Sequence, residues 1–81
     1  MRLRIIYRKN LKMSEGKIAA QAVHASMGLG TKDYNMNVVV LGVSDKKFNE
    51  IVSTEDCFTV HDLGHTEVDK GTITCAAYYG A

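Results

Sequence analysis

Ser14-Glu15-Gly16-Lys17-Ile18-Ala19-Ala20-Gln21-Ala22-Val23-His24-Ala25-Ser26-Met27 is the stretch on which the fold turns. The Ser14 hydroxyl suits a helix N-cap, because it can accept a backbone N–H that the first turn leaves unpaired, and Glu15 follows at the positive end of the helix dipole. Ala19, Ala20, Ala22 and Ala25 favour helix and keep its side chains thin, so that it can lie close on a sheet. The spacing predicts a helix to about Met27, stopped by Gly28 and Gly30. Ile18, Ala22, Ala25 and Leu29 form its apolar stripe. Lys17, Gln21, His24 and Gly28, spaced four, three and four, fall within roughly 40° of one another as a polar line.

On either side the pattern changes to strands. Residues 2–8 (Arg2-Leu3-Arg4-Ile5-Ile6-Tyr7-Arg8) are rich in branched and aromatic residues. Asn10 to Ser14 reads as a loop, and residues 31–36 as a polar connection. Val38-Val39-Val40-Leu41 is a short continuous apolar run, the signature of a strand covered on both faces. Ser44 and Asp45 cap a short helix across Lys46 to Val52. Cys57-Phe58-Thr59-Val60 is a third strand, and Thr72 to Tyr79 a fourth beyond the loop from Asp62 to Gly71. Strands separated by helices cross over to lie parallel, so the expected architecture is a small single-domain α/β fold over residues 1–81. Its four-stranded mixed sheet is flanked by helices, with the last strand antiparallel.

At 81 residues the chain makes one domain with a thin core. No run approaches the roughly 18 apolar residues of a membrane span, and the start lacks the apolar stretch of a secretory signal, so a cytoplasmic protein without membrane contact is expected. Cys57 and Cys75 are too few and too far apart for a disulfide scaffold and read as reduced, buried, small apolar residues. Ten Lys and Arg stand against nine Asp and Glu, yet Arg2, Arg4, Arg8, Lys9, Lys12 and Lys17 gather in the first 17 residues beside the single acid Glu15. Such a basic segment either meets a phosphate backbone or is a solvated edge whose charges discourage aggregation.

Two constellations carry chemistry. A cation at Lys17 faces the positive end of its own helix, which costs up to about 1 kcal/mol, so it is either an idle surface lysine or part of an anion site with the free N–H groups there. By default Gln21 and His24 are surface polar residues. The second constellation, His61-Asp62-Leu63-Gly64-His65-Thr66, follows the third strand, where ligands settle in open α/β sheets. Asp62 can orient or deprotonate water with Thr66 sharing the hydrogen bond, or both can simply bond the loop backbone. His61, Asp62 and His65 are of zinc-ligand type, but they straddle a glycine-containing loop without a His-Glu-x-x-His arrangement, so no metal is expected. No phosphate-binding Gly-Lys-Ser/Thr loop, dinucleotide fingerprint or nucleophile elbow is present, and no cofactor is implied.

The run Leu11 to Ala25, with Gly16-Lys17-Ile18-Ala19-Ala20-Gln21-Ala22-Val23-His24-Ala25 at its heart, together with Asp62-Leu63-Gly64-His65-Thr66 and Gly71-Thr72-Ile73-Thr74, closely resembles the archaeal and eukaryotic type of peptidyl-tRNA hydrolase. The resemblance implies cleavage of the ester between a peptide and the tRNA 3′ ribose, without metal or cofactor, on a four-stranded mixed sheet. It places the catalytic lysine on Lys17, the motif glutamine and histidine on Gln21 and His24, the aspartate on Asp62 and the threonine on Thr66. Asp62 with Thr66 would hold or deprotonate water, and Lys17 would stabilise the oxyanion or the nearby phosphate. Arg8, Lys9 and Lys12 would hold the acceptor stem of the peptidyl-tRNA through its phosphates.

This chain departs from the family pattern in three places. His65 stands where the family loop has arginine and Glu67 where it has glutamine, so a fixed guanidinium fork is lost and His65 takes its place toward substrate. The connection before Val38 is short where the family carries a helical insertion, and the chain stops soon after the fourth strand. Part of the sheet is then bare, or a second copy covers it as a homodimer. A binding module that holds RNA without hydrolysing it, and a partner-binding protein reusing the scaffold, are the alternative readings.

Overall fold

In the computed structural model, which describes residues 1–62 and 68–81, the central strand is β1 (Arg2–Arg8). It pairs in parallel with β2 (Val38–Val43) and antiparallel with β4 (Ile73–Gly80). Beyond β4 lies β3 (Phe58–His61), also antiparallel to it, which gives the order β2-β1-β4-β3. Helices α1 (Glu15–Leu29) and α2 (Asp45–Thr54) make the two crossovers that keep β1, β2 and β3 pointing the same way. β4 runs in the opposite sense to all three, as the sequence pattern predicts.

Consecutive residues of β1 go to opposite faces, and each face has its own apolar cluster. Leu3, Ile5, Val60, Cys75 and Ala77 pack with Ala25 of α1. Ile6, Ala76 and Tyr78 pack with Phe48 of α2. The run Cys75-Ala76-Ala77 in β4 is what lets the helices approach: Cys75 and Ala77 leave room for Ala25 of α1 on one face and Ala76 for Phe48 of α2 on the other, and all five residues are almost fully buried.

Both helices begin as their sequences require. The Ser14 hydroxyl accepts the Lys17 N–H at 3.2 Å, and the Ser44 hydroxyl accepts the Lys47 N–H at 3.2 Å. Gly30 closes α1 in the left-handed conformation (φ 86°), sending its N–H to the Met27 carbonyl. The helix thus runs two residues past the expected end, and Gly28 lies inside it. Lys9–Leu11 forms a 3₁₀ turn in the segment expected to be loop.

The expectation for β2 fails in one respect. It is an edge strand, with Val38, Val40 and Leu41 about half exposed. A continuous apolar run has the same appearance whether or not something covers it. Here residues 31–37 make a turn around Asp33, with no helix to lie over Val38 and Val40. Cys57 also departs from expectation: Cys75 is buried but Cys57 only half so, and neither is bonded to the other.

Candidate active site

Lys17 sits in the first turn of α1 and Asp62 at the end of β3, 45 residues away, and their side chains meet in an ion pair. One turn further along α1, Gln21 donates its Nε2 hydrogen bond to the same carboxylate oxygen, Oδ2, at 2.8 Å. Asp62 is positioned by its own backbone as well: its N–H goes to the Thr72 carbonyl at 2.9 Å, and its carbonyl accepts from Gly71 N–H at 2.7 Å. These bonds tie the end of β3 to the approach to β4, so the carboxylate is fixed before any ligand arrives.

The pair is well removed from water. The Lys17 side chain is 12% exposed and that of Asp62 3%. Burying either charge alone would be costly, so the contact explains why a lysine is tolerated at the unfavourable end of a helix. Gln21 is buried too, contrary to the default reading of a surface residue, while His24 is exposed. Because a carboxylate only accepts, the Gln21 amide must turn its nitrogen toward Asp62. Its Oε1 is therefore the atom left over, buried and without a hydrogen-bond partner among the described residues. The hydroxyl of Thr74, fully buried in β4, is in the same condition.

A cleft of about 470 Å³ opens above this knot, between α1 and the edge strand β3. Lys17, Gln21, His24 and Asp62 line it, so the structure brings together four of the residues that the helix line and the loop singled out. Phe58, Thr59, Val60 and His61 complete the lining. Sequence reading had Phe58, Thr59 and Val60 only as strand residues and His61 only as a metal-ligand type. The available signal was their place immediately before Asp62 in the sequence. Thr66 and His65 lie outside the described residues. No cluster of three metal-ligating side chains occurs among the residues described.

Of the basic segment, Lys17 lines the cleft, whereas Arg8, Lys9 and Lys12 do not. Arg8 makes a forked contact with Asp45 at the start of α2, Nε to Oδ1 at 2.9 Å and Nη2 to Oδ2 at 3.2 Å, and Nη1 reaches the Ile73 carbonyl at 2.9 Å. The hydrogen bonds from Arg8 hold the Asp45 carboxyl below its ordinary range and raise the guanidinium in turn. Lys9 and Lys12 are exposed on the 3₁₀ turn that leads toward α1.

Residues 1–79 match the family model for "Peptidyl-tRNA hydrolase PTH2". The chain belongs to this family. Similar proteins include the peptidyl-tRNA hydrolase of Methanothermobacter thermautotrophicus, 37% identical over 88% of this chain and 78% of that one. Those of Haloquadratum walsbyi (31% identical; 95% and 83%) and Methanopyrus kandleri (37%; 88% and 77%) match it as fully. The alignment with the first runs over 87 residues although only 88% of this shorter chain takes part, so the relative carries residues inside the matched region that this PTH2 chain lacks. A shortened connection such as that between α1 and β2 has this effect.

Proposed function

We propose that the chain is a peptidyl-tRNA hydrolase that uses the Lys17–Asp62 cleft to cleave the ester joining a peptide to the tRNA 3′ ribose. The observation that carries the reading is the convergence of Lys17, Gln21 and Asp62 on one buried point at the floor of an open cleft, in a chain of the PTH2 family. An ammonium group and a carboxylate held together can serve water attack on an ester carbonyl. One offsets the negative charge that develops on the carbonyl oxygen, and the other holds the water or takes its proton.

In the free protein the two groups satisfy each other. As the ester enters, the Lys17 ammonium swings on its flexible four-carbon stem from Asp62 toward the carbonyl oxygen. Asp62, still held by Gln21, is then released to bind the attacking water, with Thr66 as its partner. The leftover Gln21 Oε1 accepts from a ribose hydroxyl, and the exposed His24 orients the substrate end, with His65 contacting it from the loop.

The acceptor stem runs back over Lys9 and Lys12, whose charges meet phosphates without reading sequence. Arg8, already partnered by Asp45, adds less. No helix among the described residues is long and apolar enough to cross a membrane, and the reading places the protein in the cytoplasm with translation. A second copy covers the bare edge of β2; sedimentation would then show a dimer, and Val40→Lys a monomer.

The test is release of peptide from purified peptidyl-tRNA, run beside aminoacyl-tRNA. We expect turnover by the wild type and a loss of about 10²–10³-fold in Lys17→Ala, the effect of removing one oxyanion donor. An unchanged rate in that variant would remove the mechanism. Tight tRNA binding with no turnover at all would leave a binding module on the same scaffold. Affinity for tRNA should fall as salt is raised, and salt-independent binding would contradict the phosphate contacts.

A further inference from the structure

Phe58 opens β3 opposite Ala77 of β4, lines the cleft and is nevertheless 40% exposed, an unusual position for a large apolar ring in so small a core. The helix beside it has been cut away to admit it. A Cβ placed on Gly28 would lie 2.1 Å from Cε1 of the Phe58 ring, 2.3 Å from Cζ and 2.4 Å from Cδ1. Such similar separations from three adjacent ring carbons put that point over the face of the ring, since an approach in the ring plane would leave the flanking carbons much further away than the middle one. Glycine inside a helix costs stability relative to alanine. Here it lets one face of the ring rest on the α1 backbone, while the residue stays 40% exposed beside the cleft it lines.

We propose that the face of the Phe58 ring turned away from Gly28 is the stacking shelf for the adenine base of the tRNA 3′-terminal nucleotide. The inference rests on the cleft being the site of ester cleavage. The scissile ester is borne by the ribose of that nucleotide, so its base must lie within one nucleoside's reach of Lys17 and Asp62, and Phe58 lines the same cleft of about 470 Å³. Every tRNA presents the same terminal adenosine there, whereas the peptide varies. A rigid, flat, apolar surface held by backbone on its far side suits the invariant partner. Phenylalanine offers no hydrogen-bonding group, so the shelf holds the base by its π-face and leaves orientation to the polar residues of the cleft.

The experiment compares two substrates, peptidyl-tRNA and the same molecule with an abasic terminal ribose bearing the ester. For the wild type we expect kcat/KM to be about 10- to 100-fold lower on the abasic substrate, the range of one base–aromatic stack. Phe58→Leu, which keeps an apolar side chain of similar size for folding, should lose a comparable factor on the normal substrate and treat the two nearly alike. Phe58→Tyr should behave as the wild type. Equal rates of the wild type on both substrates, or full discrimination by Phe58→Leu, would overturn the proposal. So would a Phe58→Leu defect that follows the last peptide residue, changed from Gly to Phe, rather than the base. If no peptidyl-tRNA is turned over, the hydrolase reading fails separately. The shelf is then read from affinity for uncharged tRNA with and without its terminal base, where equal affinities would refute it.

Discussion

Among the described residues, each side of the sheet carries an ion pair that ties a helix to a strand end, an apolar cluster and a cysteine, and the two sides use them differently. On the α1 side, Lys17 and Asp62 are almost wholly buried and share Gln21 as a third member. On the α2 side, Arg8 and Asp45 form a better fork but stand partly in solvent, with side chains 26% and 40% exposed. Coulomb attraction is strong where water is absent, but so is the penalty for each charge. The buried pair is therefore poised, because each member depends on the other until a substrate offers a substitute. The exposed pair is screened and relieves little when broken, which suits a clip between β1 and α2.

The most severe test of this contrast breaks the buried pair from one side. Lys17→Met leaves the Asp62 carboxylate buried without its cation and should lower stability by about 3–5 kcal/mol in a denaturant titration, besides abolishing most turnover. Adding Asp62→Leu should restore part of that stability, less what the buried Gln21 amide loses with its acceptor, and none of the activity. A double variant as unstable as the single one would mean that the pair holds the fold up rather than serving the cleft.

The α1 glycines sharpen the comparison at a smaller scale. Gly28→Ala drives a methyl into the Phe58 ring and should cost about 1–3 kcal/mol. Gly16→Ala meets nothing within 4 Å and should stabilise by about 0.4–1 kcal/mol. Equal effects at the two positions would show that the ring does not occupy the place described.

Thiol chemistry separates the sides kinetically. Burial pushes Cys75, in the α1-side cluster, up to about 12. Cys57, packed against the other cluster, is raised by burial first and then by Glu55 and Asp56. In the native protein near pH 8 an alkylating reagent should reach Cys57 slowly and Cys75 only after unfolding, as mass spectrometry of peptides would show. Prior labelling of Cys75 would contradict the packing of α1 on β4.

The smallest effect belongs to the exposed pair. Because Arg8 lowers the Asp45 carboxyl, this contact adds stability above the ordinary value of 3.8 and loses it as pH falls further through the lowered one. Asp45→Asn should therefore be slightly less stable than the wild type at neutral pH and low salt. The difference should close both in high salt and as the medium is acidified below 3.8. A gap that persisted in acid would mean that something other than the charge on Asp45 is at work.

Much of the site was readable along the chain. The four-three-four spacing puts Lys17, Gln21 and His24 on one line of α1, and the position of Asp62 after β3 places it at the strand end where that line arrives. The burial of Gln21 was not readable, since a polar residue on a helix line is indistinguishable from a solvated one until the neighbour that needs its N–H is known. Phe58 escaped for a similar reason. Its chemistry is that of any strand residue, and only Gly28, 30 positions away in sequence, gives its ring an orientation. Val38, Val40 and Leu41 misled in the opposite direction, because apolar continuity promises a cover that the short connection before β2 does not provide.

Periodicity and capping act between residues a few places apart, so the amphipathic helix, the directions of the strands and the residues that look one way from each element were settled by the chain itself. What stands opposite those faces is a matter of contacts between distant segments. It was the packing of α1 against β3 that turned a lysine and an aspartate into a buried pair and made a glycine into the seat of an aromatic ring, and the short connection before β2 that left that strand open to water. Local backbone preferences carry no information about desolvation, and desolvation is what gives these charges their chemistry.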